Sequence, residues 1–528
     1  MQRVLIAFVI GLALGCLMIG RVDCLSLPVG VTVPVMGILM GLMLVLVLAM
    51  FFLHRKRHLY AFSFSAFLFF IVLGSVAFQL KYQHSLSEMS SLSKEHVLKG
   101  IVTNSPQRKT HSLAVEMQTL QGVSFICYLN HNPVIANPVS EPNIGDTLLI
   151  FTKHGLKPSS FLADPTDEFA TYRRHLFLNE IAGTCYAESW RVTKGKPEGL
   201  MAVRQMLNNQ LQLLRDTAFP IGDRDELAVV TAMTTGNKSE LSKELRKQYS
   251  HAGVSHVLAL SGFHLTVVYM LLQLLLFARI GSDKWRNVAR GLSLIAIWAF
   301  VAVTGFPPSL VRAAIMFSIL LLAQIVRRRV NSVDVLCVTV MVMLCVNPFM
   351  LLDVGFELSV LSMLGLLTMG TWMFERWTQI RYGFGRGGLF KRIVERVADF
   401  VVGSVITTIV CSMMTLPLVS YYFGFVSILS IGSNLMMSLL ATALMAVAAL
   451  WWMVSWQSLL SAWVGSGLMG IAVLMNGVTS WFASIEFAVI PWRANSWGVA
   501  MWYSLIACLL IYGARYLPIS GNGAGRHK

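Results

Sequence analysis

Two patterns alternate along the chain. Long unbroken apolar runs fill both ends, and a middle stretch alternates in short strand-like segments. The N-terminal runs are Val4 to Gly20, Val29 to Leu53 and Leu59 to Leu80. Further runs lie near 255–278, 291–306, 310–326, 333–348, 350–374, 397–418, 426–454, 457–482 and 496–515. About 20 apolar residues cross a bilayer as a helix, so the pattern predicts a polytopic α-helical membrane protein of about ten to twelve spans. The first run follows Arg3 and no small-residue cleavage site follows it, so it reads as a span and not a signal peptide; Leu14-Gly15-Cys16 is only a faint lipoprotein-type site.

The middle stretch, 81–222, holds no membrane-length run. It predicts strands at Val97–Asn104, Leu113–Leu120, Val123–Leu129, Ile144–Lys153 and Gly183–Val192, with a helix at Thr166–Asn179 before the last. Five strands and that helix suit an OB-like β-barrel inserted after the third span. The next segment, Asp223 to Ser250, is amphipathic. Asn237 with Glu240 three residues on forms a capping-box pattern, predicting a helix over Ser239–Tyr249 at the membrane surface or against the bundle. The expected organisation is 1–80 N-terminal spans, 81–222 OB-like domain, 223–250 amphipathic helices, 251–515 a transmembrane domain and 516–528 a basic tail.

Composition supports the membrane reading: 55% of residues are hydrophobic and 13% charged, against about 25% charged in soluble domains. The net charge of +16 lies mostly in and around the spans, because acidic and basic residues nearly balance over 81–222. With the N-terminus inside, Arg55-Lys56-Arg57, Arg327-Arg328-Arg329, the basic segments 279–290 and 375–396 and the tail all fall inside. The short outside loops carry Arg21 and Arg493. The positive-inside rule then predicts cytoplasmic termini, an extracytoplasmic 81–222 domain and residence in a bacterial inner membrane. Cys127 and Cys185 are the two cysteines of that domain. An oxidising compartment favours a disulfide between them, and two buried thiols are the alternative.

Four stretches resemble the ComEC competence family, in the family's order. The first is Gly253-Val-Ser-His256-Val-Leu-Ala259-Leu-Ser261-Gly262-Phe-His264, preceded by Met233-Thr-Thr-Gly236. The second is Thr304-Gly305-Phe-Pro307-Pro-Ser309-Leu-Val-Arg312-Ala313. The third is Asn347-Pro348 with Asp353-Val-Gly355-Phe-Glu357. The fourth is Thr415-Leu-Pro417, Phe423-Gly424 and Gly432-Ser-Asn434. The resemblance covers roughly residues 60 to 450, and Gly145-Asp146 with Asp164 to Arg174 resembles the family's OB-type domain. It implies an inner-membrane channel that passes single-stranded DNA into the cytoplasm during natural transformation. The implied partners are single-stranded DNA, membrane lipid, a periplasmic DNA receptor and cytoplasmic DNA-handling proteins. Glu357 stands where the family usually has Gln. The metallo-β-lactamase-like domain of many members is not expected, since no His-x-His-x-Asp-His cluster occurs. No catalytic residue, metal or cofactor is therefore expected, and without a Walker A motif the energy for transport must come from elsewhere.

Within the spans the ionisable set is His256, His264, Arg312, Asp353 and Glu357; such groups line a polar path or pair with one another. His256 and His264, eight apart, would share a helix face about 12 Å apart, too far to hold one metal. They line a pore, or they sit in a packing seam of small residues with Ser261 and Gly262. Arg312 contacts entering phosphates, or it pairs with Asp353 or Glu357, four apart on one helix face; the ion pair is favoured, fixing a broken helix near Gly355. Thr304, Gly305 and Asn434 complete the channel set. In the outer domain Arg108, Lys109, Phe125, Tyr128, Phe151, Lys153 and Lys157 are candidate contacts for a single strand, the aromatics alternatively being core. The rival readings are a transporter or ligase for a small molecule or lipid-linked sugar, and a ComEC-like scaffold without DNA transport.

Overall fold

The computed structural model describes residues 4–10, 12–14, 59–92, 96–104, 106–109, 112–130, 142–160, 169–195, 199–217, 224–277, 283–382, 389–485 and 487–516. The chain forms two compact units, one of residues 1–210 with 337–356, the other of 211–336 with 357–528.

The first unit contains α1 (Leu59–Leu92) and a sheet of eight strands. These are β1 (Val97–Val102), β2 (Gln107–Arg108), β3 (Ser112–Gln118), β4 (Ser124–Asn130), β5 (Thr147–Phe151), β6 (Lys157–Pro158), β7 (Ile181–Ala187) and β8 (Ser189–Thr193). α2 (Ala170–Leu178) precedes β7 and α3 (Gly199–Thr217) follows β8. Period-two burial along β1 and β5 sends Leu98, Leu148 and Ile150 inward, as expected of strands with one covered face.

Each expected strand is present, but the last is two strands, β7 and β8, divided at Glu188. The order is β6-β7-β4-β3-β1-β5-β8, with β2 on β3 and β4–β7 parallel. The sheet is not the closed barrel that was expected. The expected last strand is divided at Glu188, β7 pairing with β4 and β6 while β8 pairs with β5, so the strands run as a path from β6 to β8. The base of the sheet is tied to the helical part of this unit. Glu180 Oε1 is 2.8 Å from Lys81 Nζ on α1 and accepts from Asn347 Nδ2 at 2.9 Å. The Phe349 ring packs on Phe78 and Phe177 at 5.4 and 5.3 Å between centroids.

The disulfide expected between Cys127 and Cys185 is not formed. Both are buried free thiols, placed opposite each other on β4 and β7. Neighbouring strands lie about 4.8 Å apart, which is within reach of a disulfide. In this structure the thiols hydrogen-bond instead, and that contact first, burial second, holds Cys127 well above the usual thiol pKa.

The second unit is helical: α4 (Arg224–Thr234), α5 (Lys243–His251), α6 (Gly262–Phe277), α7 (Asp283–Val303), α8 (Pro308–Ile325), α9 (Ser332–Val346), α10 (Val354–Gly365), α11 (Thr371–Tyr382), α12 (Leu389–Phe423), α13 (Ser430–Val454), α14 (Ser458–Ala483) and α15 (Ser496–Tyr516). The unit boundaries at 336 and 356 fall inside α9 and α10. A π-helical turn, Leu366–Gly370, joins α10 to α11, and a short ribbon pairs β9 (Phe425–Ser427) with β10 (Val489–Pro491). Helices α4 and α5 share one core with α13 and α14, including Tyr249, Met437, Leu444, Trp451, Leu468 and Met475. Helices α6, α7 and α8 share another, built on Leu265, Ile297, Val301, Leu310 and Leu321.

Among the described residues, seven stretches are long and apolar enough to cross a membrane: Ser65–Ser87, Trp285–Val303, Pro308–Ile325, Val354–Ile380, Val394–Phe423, Ser430–Val454 and Leu459–Ala483. The protein is a multi-pass membrane protein. Gly262–Leu274 and Ser332–Val346 are apolar but shorter. The expected span Val29 to Leu53, residues 11 and 15–20 of the first run and the tail after Tyr516 lie outside the described residues; 4–10 and 12–14 are helical as expected.

Three expected helical placements change. The span near 255–278 begins as a helix only at Gly262, so His256 lies in a run of turns and does not share a helix face with His264. The helix expected over Ser239–Tyr249 starts after Ser242, whose Oγ accepts from Leu245 N–H; Asn237 instead closes a local turn by accepting from Ser239 N–H. Asp353 is not four residues along one helix from Glu357. It follows a 3-10 turn at Pro348–Leu352 and caps α10, its Oδ2 accepting from Phe356 N–H at 2.8 Å. A short carboxylate at a helix start satisfies a backbone donor that has no partner within the helix.

Candidate functional site

The outer-domain candidates separate once the strand order is known. β4 and β7 run parallel with Tyr128 opposite Tyr186. Their rings stack with centroids 5.1 Å apart and planes at 23°. Tyr128 Oη lies 2.9 Å from Tyr172 Oη on α2, and Lys109 Nζ donates to Tyr128 Oη at 3.3 Å. Lys109 Nζ also sits 4.7 Å above the Tyr128 ring, and Lys157 Nζ is 6.0 Å from the Tyr186 ring centre. Burial, then the bond to Tyr128, raises the Tyr172 hydroxyl to about 12, which keeps it protonated. Tyr186 is 61% exposed, and Lys109, Lys157 and Tyr172 also reach the surface. The result is a ladder of three tyrosines, one pair stacked and the other joined through its hydroxyls, edged by two ammonium groups.

Of the seven expected strand contacts, Lys109, Tyr128 and Lys157 are brought together here. Phe125 is fully buried and covers Gly100, so it is core. Phe151 is exposed but lies on β5, three strands from β4, with Lys153 just beyond it. That is about 14 Å away across the sheet. Arg108 lies on β2 opposite Leu113. Tyr172 and Tyr186 were missed. The repeated dipeptide Cys127-Tyr128 and Cys185-Tyr186 carried the signal, since two equal pairs set side by side in parallel strands place like residues together.

The channel candidates lie in the helical segments. Gly253, with φ +76°, fits where a side chain would strike Ser427 and Ser430. Around it Ser427 Oγ donates to His251 O and Ser433 Oγ to Ala252 O. Gly236, φ +78°, likewise lets Leu260 and the Thr304 carbonyl approach. Ser309 Oγ on α8 donates to Leu260 O at 2.7 Å, and a Cβ on Gly262 would stand 3.3 Å from the Ala313 Cβ. The first, second and fourth motif stretches thus pack closely on one another within this unit. The motif turn at Thr304-Gly305 ends α7: Thr304 Oγ1 donates back to Phe300 O, and Gly305 and Phe306 take positive φ before Pro307.

His264 is fully buried; its Nδ1 accepts from Ser261 N–H at 3.2 Å, and its Nε2 has no partner. His256 is exposed. Arg312 is 4% exposed, and among the described residues its Nε and Nη1 have no hydrogen-bond partner. Within its own unit the expected pair with Glu357 is not made: among the described residues of that unit no carboxylate meets the Arg312 guanidinium. Glu357 instead accepts from Tyr422 Oη at 3.4 Å. Gly355 is exposed beside Asp353 Oδ2, and Asn434 Oδ1 is buried without a partner. Among the described residues no three His, Cys, Asp or Glu side chains gather as a metal site.

A family model described as competence protein matches residues 233–516, from the end of α4 through α15. The chain belongs to the competence protein family. It is similar to ComE operon protein 3 of Bacillus subtilis (strain 168), 26% identical over 266 residues, which are 50% of this chain and 30% of that protein. The chain therefore matches under a third of its curated relative's length. No solved structure matches it. The competence-family region holds the motif glycines, His264 and Arg312, while the tyrosine ladder lies ahead of it in the chain.

Proposed function

We propose that this competence protein passes single-stranded DNA through a bacterial inner membrane into the cytoplasm during natural transformation. Family membership supports the role. The observation that carries the substrate is the ladder of Tyr172, Tyr128 and Tyr186 edged by Lys109 and Lys157. Stacked aromatic faces accept any base, and flanking cations track the phosphates, the combination by which proteins bind single strands without sequence preference. The sheet domain then faces outside and receives the strand from a DNA receptor. The helical bundle carries it inward to cytoplasmic DNA-handling proteins. The concentration of arginine and lysine in the segments assigned to the inside supports this orientation. The chain has no reaction of its own in this scheme, and removal of the second strand falls to another protein.

The test is gene deletion followed by uptake of labelled duplex DNA, with periplasmic and cytoplasmic label scored separately. Loss of cytoplasmic label with periplasmic accumulation is expected. Unchanged cytoplasmic label in an otherwise competent strain overturns the reading and favours the scaffold.

A further inference from the structure

Helix α8 buries Leu310, Arg312, Ala313, Ala314, Met316 and Leu321. Five of these are small or apolar, and the sixth is a guanidinium. Its Nε and Nη1 are buried without a hydrogen-bond partner. A buried cation left without a counter-charge is far more costly than a methionine of similar length in the same place. A position that keeps the charge and, among the described residues, offers Nε and Nη1 no acceptor is suited to an acceptor from outside the chain.

The surroundings specify that acceptor. Ser309, one turn before Arg312 and on the same side of α8, donates to Leu260 O in the irregular run ahead of α6. Non-helical backbone at membrane depth is tolerated where it is packed in protein or lines a cavity. At the start of α6, His264 Nδ1 accepts from Ser261 N–H, so in the neutral ring Nε2 carries the proton. That N–H is also buried with no acceptor. Two helices that share one core thus each bury an unanswered donor, and among the described residues of this unit no carboxylate answers Arg312. The chemistry that is missing is an oxyanion, and a guanidinium fork matches a phosphate oxyanion in both shape and charge.

We propose that Arg312 is a phosphodiester-binding residue inside the helical unit. Two sources carry that group: the backbone of a DNA strand in passage and the headgroup of an anionic lipid. The DNA source rests on the function proposed above; the lipid source does not.

The test uses the full chain in phosphatidylcholine nanodiscs. A fluorescent oligodeoxynucleotide with a phosphodiester backbone is compared with one of the same sequence carrying neutral methylphosphonate linkages. For the DNA source, R312M weakens only the phosphodiester strand and lowers the slope of log affinity against log salt by about 0.7, the value of one single-strand phosphate contact. R312K keeps most of the slope, because a lysine still places a charge there. For the lipid source, native mass spectrometry of protein released from phosphatidylglycerol membranes shows bound phosphatidylglycerol lost in R312M, with strand binding unchanged. An R312M protein that binds both oligonucleotides with the native slope and retains phosphatidylglycerol overturns the proposal. If R312M does not fold, R312K and R312Q are read in the same two assays, and native behaviour in R312Q overturns it equally. A deletion strain with normal DNA uptake would remove the transport reading while leaving the lipid assay decisive.

Discussion

Tyr186 stacks on Tyr128 across parallel strands, centroids 5.1 Å apart, and leaves 61% of its own surface exposed. It is the most exposed of the three tyrosines, and its removal uncovers little core. Tyr186→Ala is expected to weaken binding of a single-stranded oligonucleotide by about 1–3 kcal/mol, the value of one stacked base. Tyr186→Phe is expected to bind as the native protein does. Fluorescence anisotropy on the full chain reads both, and equal affinity in native protein and Tyr186→Ala sinks the platform.

Cys127 and Cys185 face each other as free thiols across β4 and β7. Because mutual hydrogen bonding first and burial second hold Cys127 as a thiol, alkylation of the folded protein at neutral pH is expected to be slow, the thiolate being the reactive form. After denaturation without reductant both positions are expected to take an alkyl group. Protection of the pair until reductant is added would show a disulfide and overturn the free-thiol arrangement.

Gly253 is expected to resist even alanine. A Cβ there would come within 2.8 Å of Ser427 Oγ and 2.9 Å of Ser430 Cβ, at a φ of +76°. Clash and backbone strain together predict a loss of more than about 1 kcal/mol. Thermal unfolding of Gly253→Ala in detergent should show a lower midpoint, whereas Gly291→Ala, with open space at its Cβ, should stay near the native value.

Tyr249 bolts the amphipathic α5 to the bundle: its Oη donates to Asn476 Oδ1 at 3.0 Å, and Asn476 Nδ2 donates to Glu226 Oε1 at 3.1 Å. Tyr249→Phe leaves the Asn476 oxygen without its donor, at an expected cost of about 1–3 kcal/mol. Pairing it with Asn476→Leu removes the orphaned acceptor and is expected to restore part of that loss. Strict additivity of the two changes, measured by thermal unfolding, would argue that the bond carries no coupling.

Much of the local plan was legible. Each expected strand of the middle domain is present because alternation along β1 and β5 is a property of neighbours in the chain. The apolar runs within the described residues became helices for the same reason, since hydropathy and helical period are local. Misplacements occurred at punctuation. The motif run from Gly253 to Ser261 is apolar enough to read as helix, yet the turn at Gly253 and the packing of Leu260 against Ser309 hold it irregular. Asp353 read as a helical partner of Glu357 until Pro348 and the 3-10 turn made it a cap.

By itself the sequence determined that this is a multi-pass membrane protein with a strand-rich insert and competence-family motifs, because composition, spacing and motif order are carried by the linear chain. Tertiary structure alone decided which side chains meet. Parallel pairing of β4 with β7 joined Tyr128 to Tyr186 from positions far apart in sequence and left Phe151 three strands away. Helix docking buried Arg312 without the carboxylate that its charge called for. Strand order and helix contacts are long-range outcomes of packing, and local pattern does not encode them.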